Sequence, residues 1–429
     1  MNMIIALALF VVTYALMMIF SKYRTYIALA SGVIYVISGM LPLGQIVDEN
    51  NINVLLMIAG TMGLVALFIE SRMPALLADL MMEKVPNVQM AAVVLSLFAG
   101  VISAFVDNVA TVLMVAPVAL EICKKHKINP VPFIIAIAVS SNLQGAATLV
   151  GDTTAIMLGA EMNMSFMDFF WYNGRPGMFF AVELGAVISA IILAFLFRKE
   201  KAPIPKATER TKVTDYVPSA LLIAMIAVLV VLSFIPFELP GYINGLCCCV
   251  LMVIGIVYNF IRKRTKEAVT TPLKAIDFET LGLLVGLFLM IGGLDAQGVI
   301  QKAAELLVAF GGDKPFLLYT VVVWASVLIS AFVDNIPYVA TMLPIIGSLA
   351  VANPELAPLT TALYFGLLSG ATLGGNCTPI GASANITGIG ILRKEGHTVK
   401  NADFFKIGIP FTLAAIIPAY IYIWLVFGI

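Results

Sequence analysis

Charge is what this chain has least of. Only 12% of its 429 residues are Asp, Glu, Lys or Arg, 61% are hydrophobic, and the mean hydropathy is +1.02. A soluble domain carries about a quarter charged residues, so this composition excludes one and points to an integral membrane protein in contact with the lipid bilayer. The net charge is zero, so the basic footprint of a nucleic-acid partner is absent. Cysteine is also sparse. Cys247, Cys248 and Cys249 lie in an apolar stretch and Cys123 and Cys377 stand alone, which is no disulfide framework; all five read as small core residues. No HExxH, GxSxG or Walker-type phosphate loop occurs. Neither an enzyme nor a pump driven by its own ATP hydrolysis is therefore expected, and no cofactor beyond a bound sodium ion. No A-x-A-like cleavage site follows the first apolar run, so 3–20 is expected to be a mature helix and not a signal peptide.

What is present is a series of long apolar runs, near 3–20, 26–44, 53–69, 89–122, 131–160, 178–197, 217–235, 241–261, 278–294, 316–350, 357–392 and 407–428. They do not alternate as barrel strands do, so an all-α polytopic membrane protein is expected. The runs 89–122 and 316–350 are too long for one crossing and too short for two, and each holds S-A-F-V-D-N (103–108 and 330–335) in its middle. Each reads as a re-entrant hairpin. The runs 131–160 and 357–392 are interrupted by S-N-L-Q-G-A-A-T-L-V-G-D (141–152) and G-G-N-C-T-P-I-G-A-S-A-N (374–385). Each reads as one crossing made by a broken helix. About ten crossings and two hairpins result. With both termini outside, every basic residue but Arg175, Lys302 and Lys314 of the 25 falls on the inner face, as the positive-inside rule asks of a plasma-membrane protein.

S-A-F-V-D-N is not the only repeat. T-L-V-G-D-T-T-A-I (148–156) aligns with T-P-I-G-A-S-A-N-I (378–386), and Asp168-Phe169-Phe170 with Asp403-Phe404-Phe405. Two halves are expected, 1–197 and 213–429, joined by a charged cytoplasmic linker, 198–212. Five crossings per half invert the second relative to the first, an arrangement characteristic of secondary transporters.

Ionisable groups inside a bilayer are costly and point to function. Asp107, Asp152 and Asp334 fall in the expected interior, with no Lys or Arg in the spans to neutralise them. An unpaired aspartate there takes a proton or holds a cation. Its neighbours carry oxygen: Ser103, Asn108, Asn142 and Thr148 in the first half, Ser330, Asn335, Asn376, Thr378, Ser383 and Asn385 in the second. Hard cations bind such oxygens and the carbonyls of broken helices. Gly151 and Gly381 permit a broken backbone. The plainer reading is that Asp-Asn at a hairpin tip serves as a helix cap. Asp168 and Asp403 are expected to cap the last helix of each half, and Glu70 and Asp295 to end helices at the interface.

SAFVDNVATVLMVAPV (103–118), SAFVDNIPYVATMLPII (330–346) and GGNCTPIGASANITGIG (374–390) resemble the ion transporter superfamily, in particular its ArsB/NhaD permeases and the P protein-like transporters within them. The superfamily also holds the divalent anion/sodium symporters. The resemblance implies a homodimer whose mobile part moves as an elevator. It also implies cation and substrate sites at Asp107, Asn108, Thr148, Gly151, Asp334, Asn335, Thr378, Gly381 and Asn385, with sodium at Asp107, Asn108, Asp334, Asn335 and Asn385. The family's asparagine after the first broken helix is replaced here by Ala155, while its counterpart Asn385 is kept. Two functions follow: a sodium- or proton-coupled exchanger, or a sodium-coupled carrier of a small anion such as a dicarboxylate or arsenite.

Overall fold

The computed structural model describes residues 2–204, 210–237, 239–311 and 314–428, so residues 205–209 of the expected linker lie outside the described part. The first half contains α1 (Asn2–Ile19), α2 (Arg24–Ile37), α3 (Glu49–Glu70), the short α4 (Met73–Met82), α5 (Val88–Ser103), α6 (Asn108–His126), α7 (Val131–Gln144), α8 (Thr153–Glu161) and α9 (Met178–Leu196). The second contains α10 (Val217–Leu232), α11 (Ile243–Lys263), the short α12 (Glu267–Lys274), α13 (Phe278–Ala296), α14 (Val299–Gly311), α15 (Pro315–Ser330), α16 (Asn335–Gly347), α17 (Leu349–Ala352), α18 (Thr360–Gly374), α19 (Ser383–Lys394) and α20 (Asn401–Phe427). A two-stranded hairpin pairs Trp171–Tyr172 with Arg175–Pro176.

The molecule is a helical membrane protein, as the apolar runs require. Among the described residues, α3, α9, α11, α13 and α20 each match the bilayer in length and apolar character, as do the stretches 335–352 and 354–377. Both S-A-F-V-D-N segments form sharp turns, between α5 and α6 and between α15 and α16. Both Gly-rich stretches break a crossing, between α7 and α8 and between α18 and α19. The packing repeats as well: α2 lies against α13 and α3 against α11, while α5 lies against α7 and α15 against α18. Close approach comes from small residues. Gly286 of α13 faces the Ala28–Leu29 backbone of α2, and Gly60 of α3 faces the Cys248–Cys249 backbone of α11. Cys248 is fully buried there, in the core role its setting suggested.

Three features depart from expectation. First, α1 and α2 meet at 114° across a single 3-10 turn, Ser21–Tyr23, and not as an antiparallel pair joined by a surface loop. Neither α2 nor that turn has a side-chain cap, so tertiary contacts set the bend. Second, Asp168 does not cap α9. Its carboxylate accepts from the Ser165 N–H and Oγ–H, both at 2.7 Å, and α9 begins after the strand pair with Gly177 as its uncapped N-cap. Third, Asp403 sits in the first turn of α20, where Lys400 holds the cap position; charge in the first turn favours the helix without capping it.

One cap crosses between helices. The Gly245 N–H, in the first turn of α11, donates to Asn53 Oδ1 of α3 at 2.8 Å, and Asn53 is buried. The N-cap of α11, Tyr242, supplies no side-chain acceptor. Asn53→Ala leaves that N–H unsatisfied and is expected to cost about 1–2 kcal/mol, read as lower stability in denaturant-driven unfolding in detergent. Asn53→Asp, which keeps an acceptor, is expected to retain most of it; equal losses in both would refute the cap.

Candidate ion-binding site

The two hairpin tips are built alike. Asp107 is the N-cap of α6 and accepts from the Val109 and Ala110 N–H groups at 3.0 and 3.1 Å. Asp334 is the N-cap of α16 and accepts from the Ile336 N–H at 3.1 Å. Each tip is tied to the broken helix of its own half. Thr148 Oγ1 donates to the Ala104 carbonyl, and Thr378 Oγ1 to the Ala331 carbonyl. Backbone meets backbone at the next glycine. A Cβ on Gly151 would stand 2.6 Å from the Gly145 carbonyl oxygen, and one on Gly381 2.6 Å from that of Gly375. Only glycine fits at either place.

Behind the tips, polar side chains satisfy one another. Ser141 Oγ donates to Ser103 Oγ at 3.0 Å, Ser103 Oγ to Asn108 Oδ1 at 2.7 Å, and Asn108 Nδ2 to Asn142 Oδ1 at 3.1 Å. Asn142 Nδ2 then reaches into the second half, to Asn376 Oδ1 at 3.1 Å and the Thr372 carbonyl at 2.7 Å. Asn376 Nδ2 returns to the Val139 carbonyl at 2.9 Å. Ser330 is fully buried and donates to the Ala371 carbonyl. Asn385, 1% exposed, donates to the Gly375 and Thr378 carbonyls at 3.0 Å, but its Oδ1 is buried with no partner. A buried acceptor without a donor is costly. Such an oxygen suits a hard cation.

Besides α13, whose N-cap Asp277 lies on its rim, four helix N-termini open on one cavity of about 530 Å³: those of α6 (Asp107, Asn108), α8 (Asp152, Thr153), α16 (Asn335, Ile336) and α19 (Ala382, Ser383). Three are capped by their own aspartate. Asp152 caps α8, accepting from the Thr153 N–H at 2.7 Å and Thr154 Oγ1 at 3.0 Å. The fourth, α19, has Ala382 at its cap and no side-chain acceptor. The wall holds four carboxylates, Glu70, Asp107, Asp152 and Asp277, and no Lys or Arg among the described residues. Glu70 is compensated by Lys263 and by Asn259 Nδ2. Asp277 caps α13 through the Thr280 N–H and Oγ1, at 3.0 and 2.7 Å. Among the described residues, Asp107 and Asp152 have no cationic partner.

The structure thus brings Asp107, Asn108, Asn142, Asp152, Asn335 and Ser383 to one cavity, with Ser103, Thr148, Gly151, Ser330, Asn376, Thr378, Gly381 and Asn385 packed behind it. It sets Asp334 apart. That carboxylate pairs with the Arg24 guanidinium, Nη1 to Oδ2, so the expectation that no basic residue reaches the aspartates is corrected for this one. The bend between α1 and α2 carries Arg24 to the hairpin tip. Tyr14 OH, from α1, reinforces the contact at 2.6 Å from both the Pro337 carbonyl and Thr341 Oγ1. Charge counting placed Arg24 in a surface loop, and nothing local links it to a residue 310 positions away. Glu70 and Asp277 also line the cavity. Asp277 had a legible signal, Asp-Phe-Glu-Thr ahead of an apolar run; Glu70 had none.

Comparison with known proteins agrees with this architecture. A family model described as a citrate transporter matches residues 14–366 and 270–429. The chain belongs to the citrate transporter family. It is 34% identical to a 46 kDa membrane protein of Mycobacterium leprae over 75% of this chain and 74% of that one. It is 28% identical to an uncharacterized transporter of Mycobacterium tuberculosis, over 99% of this chain and 100% of that one. The human P protein is 25% identical over 95% of this chain, which spans 58% of that protein. The P protein-like resemblance read from the motifs is thereby shown. The YdaH transporter of Alcanivorax borkumensis superposes with a TM-score of 0.62 at 13% identity, covering 93% of this chain and 90% of that one, and shows the same fold. This member of the family is an integral membrane transporter.

The Arg24–Asp334 pair invites a double-mutant cycle. Its side chains are 33% and 23% exposed, so Arg24→Ala and Asp334→Asn are each expected to destabilise the fold, with a coupling of about 1 kcal/mol in the double variant. Strict additivity would mean that the two groups do not interact. Gly381→Ala, by forcing two backbone segments apart, is expected to lower stability by about 1–3 kcal/mol in the same unfolding assay.

Proposed function

We propose that the chain is an ion-coupled secondary carrier of the exchanger type, in which a proton or a sodium ion occupies Asp107 and Asp152. The observation that carries this reading is the acidic cavity without a base. Of its four carboxylates, Glu70 is compensated by Lys263 and Asp277, which caps α13, is exposed, whereas Asp107 and Asp152 face the cavity with only a helix end and neighbouring hydroxyls to offset their charge. Helix N-termini offset part of a carboxylate's charge, but they leave a net negative site facing the cavity. Either a proton or a hard cation neutralises it. Asn108 and Asn142 add neutral oxygens from the same wall. In the second half, the unpartnered Asn385 Oδ1 supports a further oxygen-donor site for sodium behind the cavity that Asn335 lines. Ala155 occupies the matching place in the first half, so the two sites differ.

In this reading, residues 1–197 and 213–429 form an inverted repeat joined by 198–212. The hairpins and broken helices of each half move together as an elevator within a homodimer. The protein is not an enzyme. It lies in the plasma membrane with both termini outside.

A second reading has its own support. The N-terminus of α19 opens on the cavity without a side-chain cap, and free N–H groups at a helix start bind anions. Together with the family's description as citrate transporters, this favours a sodium-coupled carrier of a small carboxylate.

The two separate in liposomes. Under an imposed sodium gradient, the exchanger reading expects a sodium-driven change of internal pH that slows by roughly tenfold or more in Asp107→Asn and in Asp152→Asn. Sodium-dependent uptake of labelled citrate with no pH response would sink the first reading and establish the second.

A further inference from the structure

Glu183 is the one charged residue of α9, and neither the cavity nor the hairpins use it. It lies in the second turn of a helix apolar enough to cross the bilayer and is half-buried. Among the described residues, the helices packed most extensively on α9 are α5, α7 and α20. The first two contain no ionisable side chain, and the charges of α20, Asp403 and Lys406, sit in its first two turns, so among the described residues these helices bring no countercharge to Glu183. Its polar neighbour is Gln144 of α7, whose side-chain amide lies beside the carboxyl.

Gln144 is unusual in two ways. It is the last residue of α7, immediately before the break at Gly145. It is 2% exposed, and its Oε1 is buried without a partner. Gly100 of α5 closes over it, its Cβ position 2.9 Å from Gln144 Cγ. The fourteen residues of α7 rise by about 21 Å at 1.5 Å per residue, which places Gln144 well inside an apolar layer of about 30 Å. Two anomalies therefore meet: a carboxyl with no countercharge and an amide oxygen with no donor. A neutral carboxylic acid resolves both, because its O–H supplies the missing donor.

We propose that Glu183 is a proton-binding site of this transporter, distinct from the aspartates of the cavity, with Gln144 as its positioning partner. In the neutral form the acid O–H donates to Gln144 Oε1. When the proton leaves to water, the carboxylate accepts from Gln144 Nε2 instead, and the amide turns over. Proton occupancy is thereby read at the residue that ends the first arm of the broken helix. The consequence for transport rests on the carrier reading above; the site itself does not, and its test needs no transport.

The probe is N,N′-dicyclohexylcarbodiimide, which adds to neutral carboxylic acids in apolar surroundings, applied to the full chain in proteoliposomes and followed by peptide mass mapping. The expected result is labelling at Glu183 that falls at least about tenfold between about pH 6 and about pH 9. In parallel, infrared spectra are expected to show a protonated-carboxyl C=O band that Glu183→Gln removes. Gln144→Leu, which takes away the acceptor, is expected to shift that band upward, a change that a purely structural role would not produce. An unlabelled Glu183 together with no band lost in Glu183→Gln overturns the proposal. So does labelling that is indifferent to pH, or a band unmoved by Gln144→Leu. A sodium-driven pH response that is absent while Glu183 still labels would count against the exchanger reading alone.

Discussion

Four helices begin inside an apolar bundle, at the rim of one cavity, and each leaves backbone N–H groups that lipid cannot satisfy. Much of the site's design is a response to that constraint. Asp107, Asp152 and Asp334 cap three of the ends. Thr148 and Thr378 tie the hairpin tips to the broken helices through carbonyls that would otherwise stand free. Gly151 and Gly381 let the two backbones close to within contact distance. Residues that serve as caps in a soluble protein thus do two things here. They satisfy the backbone, and they place carboxylates where an ion can reach them.

The two halves meet this constraint differently, and the difference bears on function. The second hairpin's aspartate is neutralised by Arg24, whereas the first hairpin's aspartate faces the cavity beside Asp152. The second broken helix keeps an asparagine with a free buried oxygen; the first has alanine at that place. Repetition of sequence therefore does not give two equivalent sites. One half offers uncompensated negative charge, the other offers neutral oxygen and an uncapped helix end. Carriers that couple one ion to another substrate need such unlike subsites, because each must discriminate between its own ligand and the other's.

The hydrogen-bonded chain from Ser141 through Asn142 to Asn376 joins these halves at their centre. A fully satisfied polar network in a low-dielectric interior is rigid. It holds the hairpin tip of the first half against the broken helix of the second. Outside it, the N-terminal helices touch the second hairpin through Tyr14 and Arg24. The Arg24–Asp334 contact is partly exposed.

Much was legible in the sequence alone. A mean hydropathy of +1.02 leaves no soluble alternative. The duplicated S-A-F-V-D-N, set in runs of the wrong length for a crossing, marks hairpin tips because a polar turn is tolerable in lipid only when buried in protein. Gly-rich interruptions mark broken helices for the same reason. Local chemistry of this kind is written in short stretches and survives without a fold. Pairings between distant residues are not. The partner of Asp334 lies more than three hundred residues away, at a bend between two helices that no cap announces, and charge counting put it on the surface. Glu70 was set aside as a helix end and proves to rim the cavity. The contact between Glu183 and Gln144 joins a helix interior to a helix break. Which carboxylates are compensated and which are free depends on how the helices are stacked, and only the tertiary structure decided that.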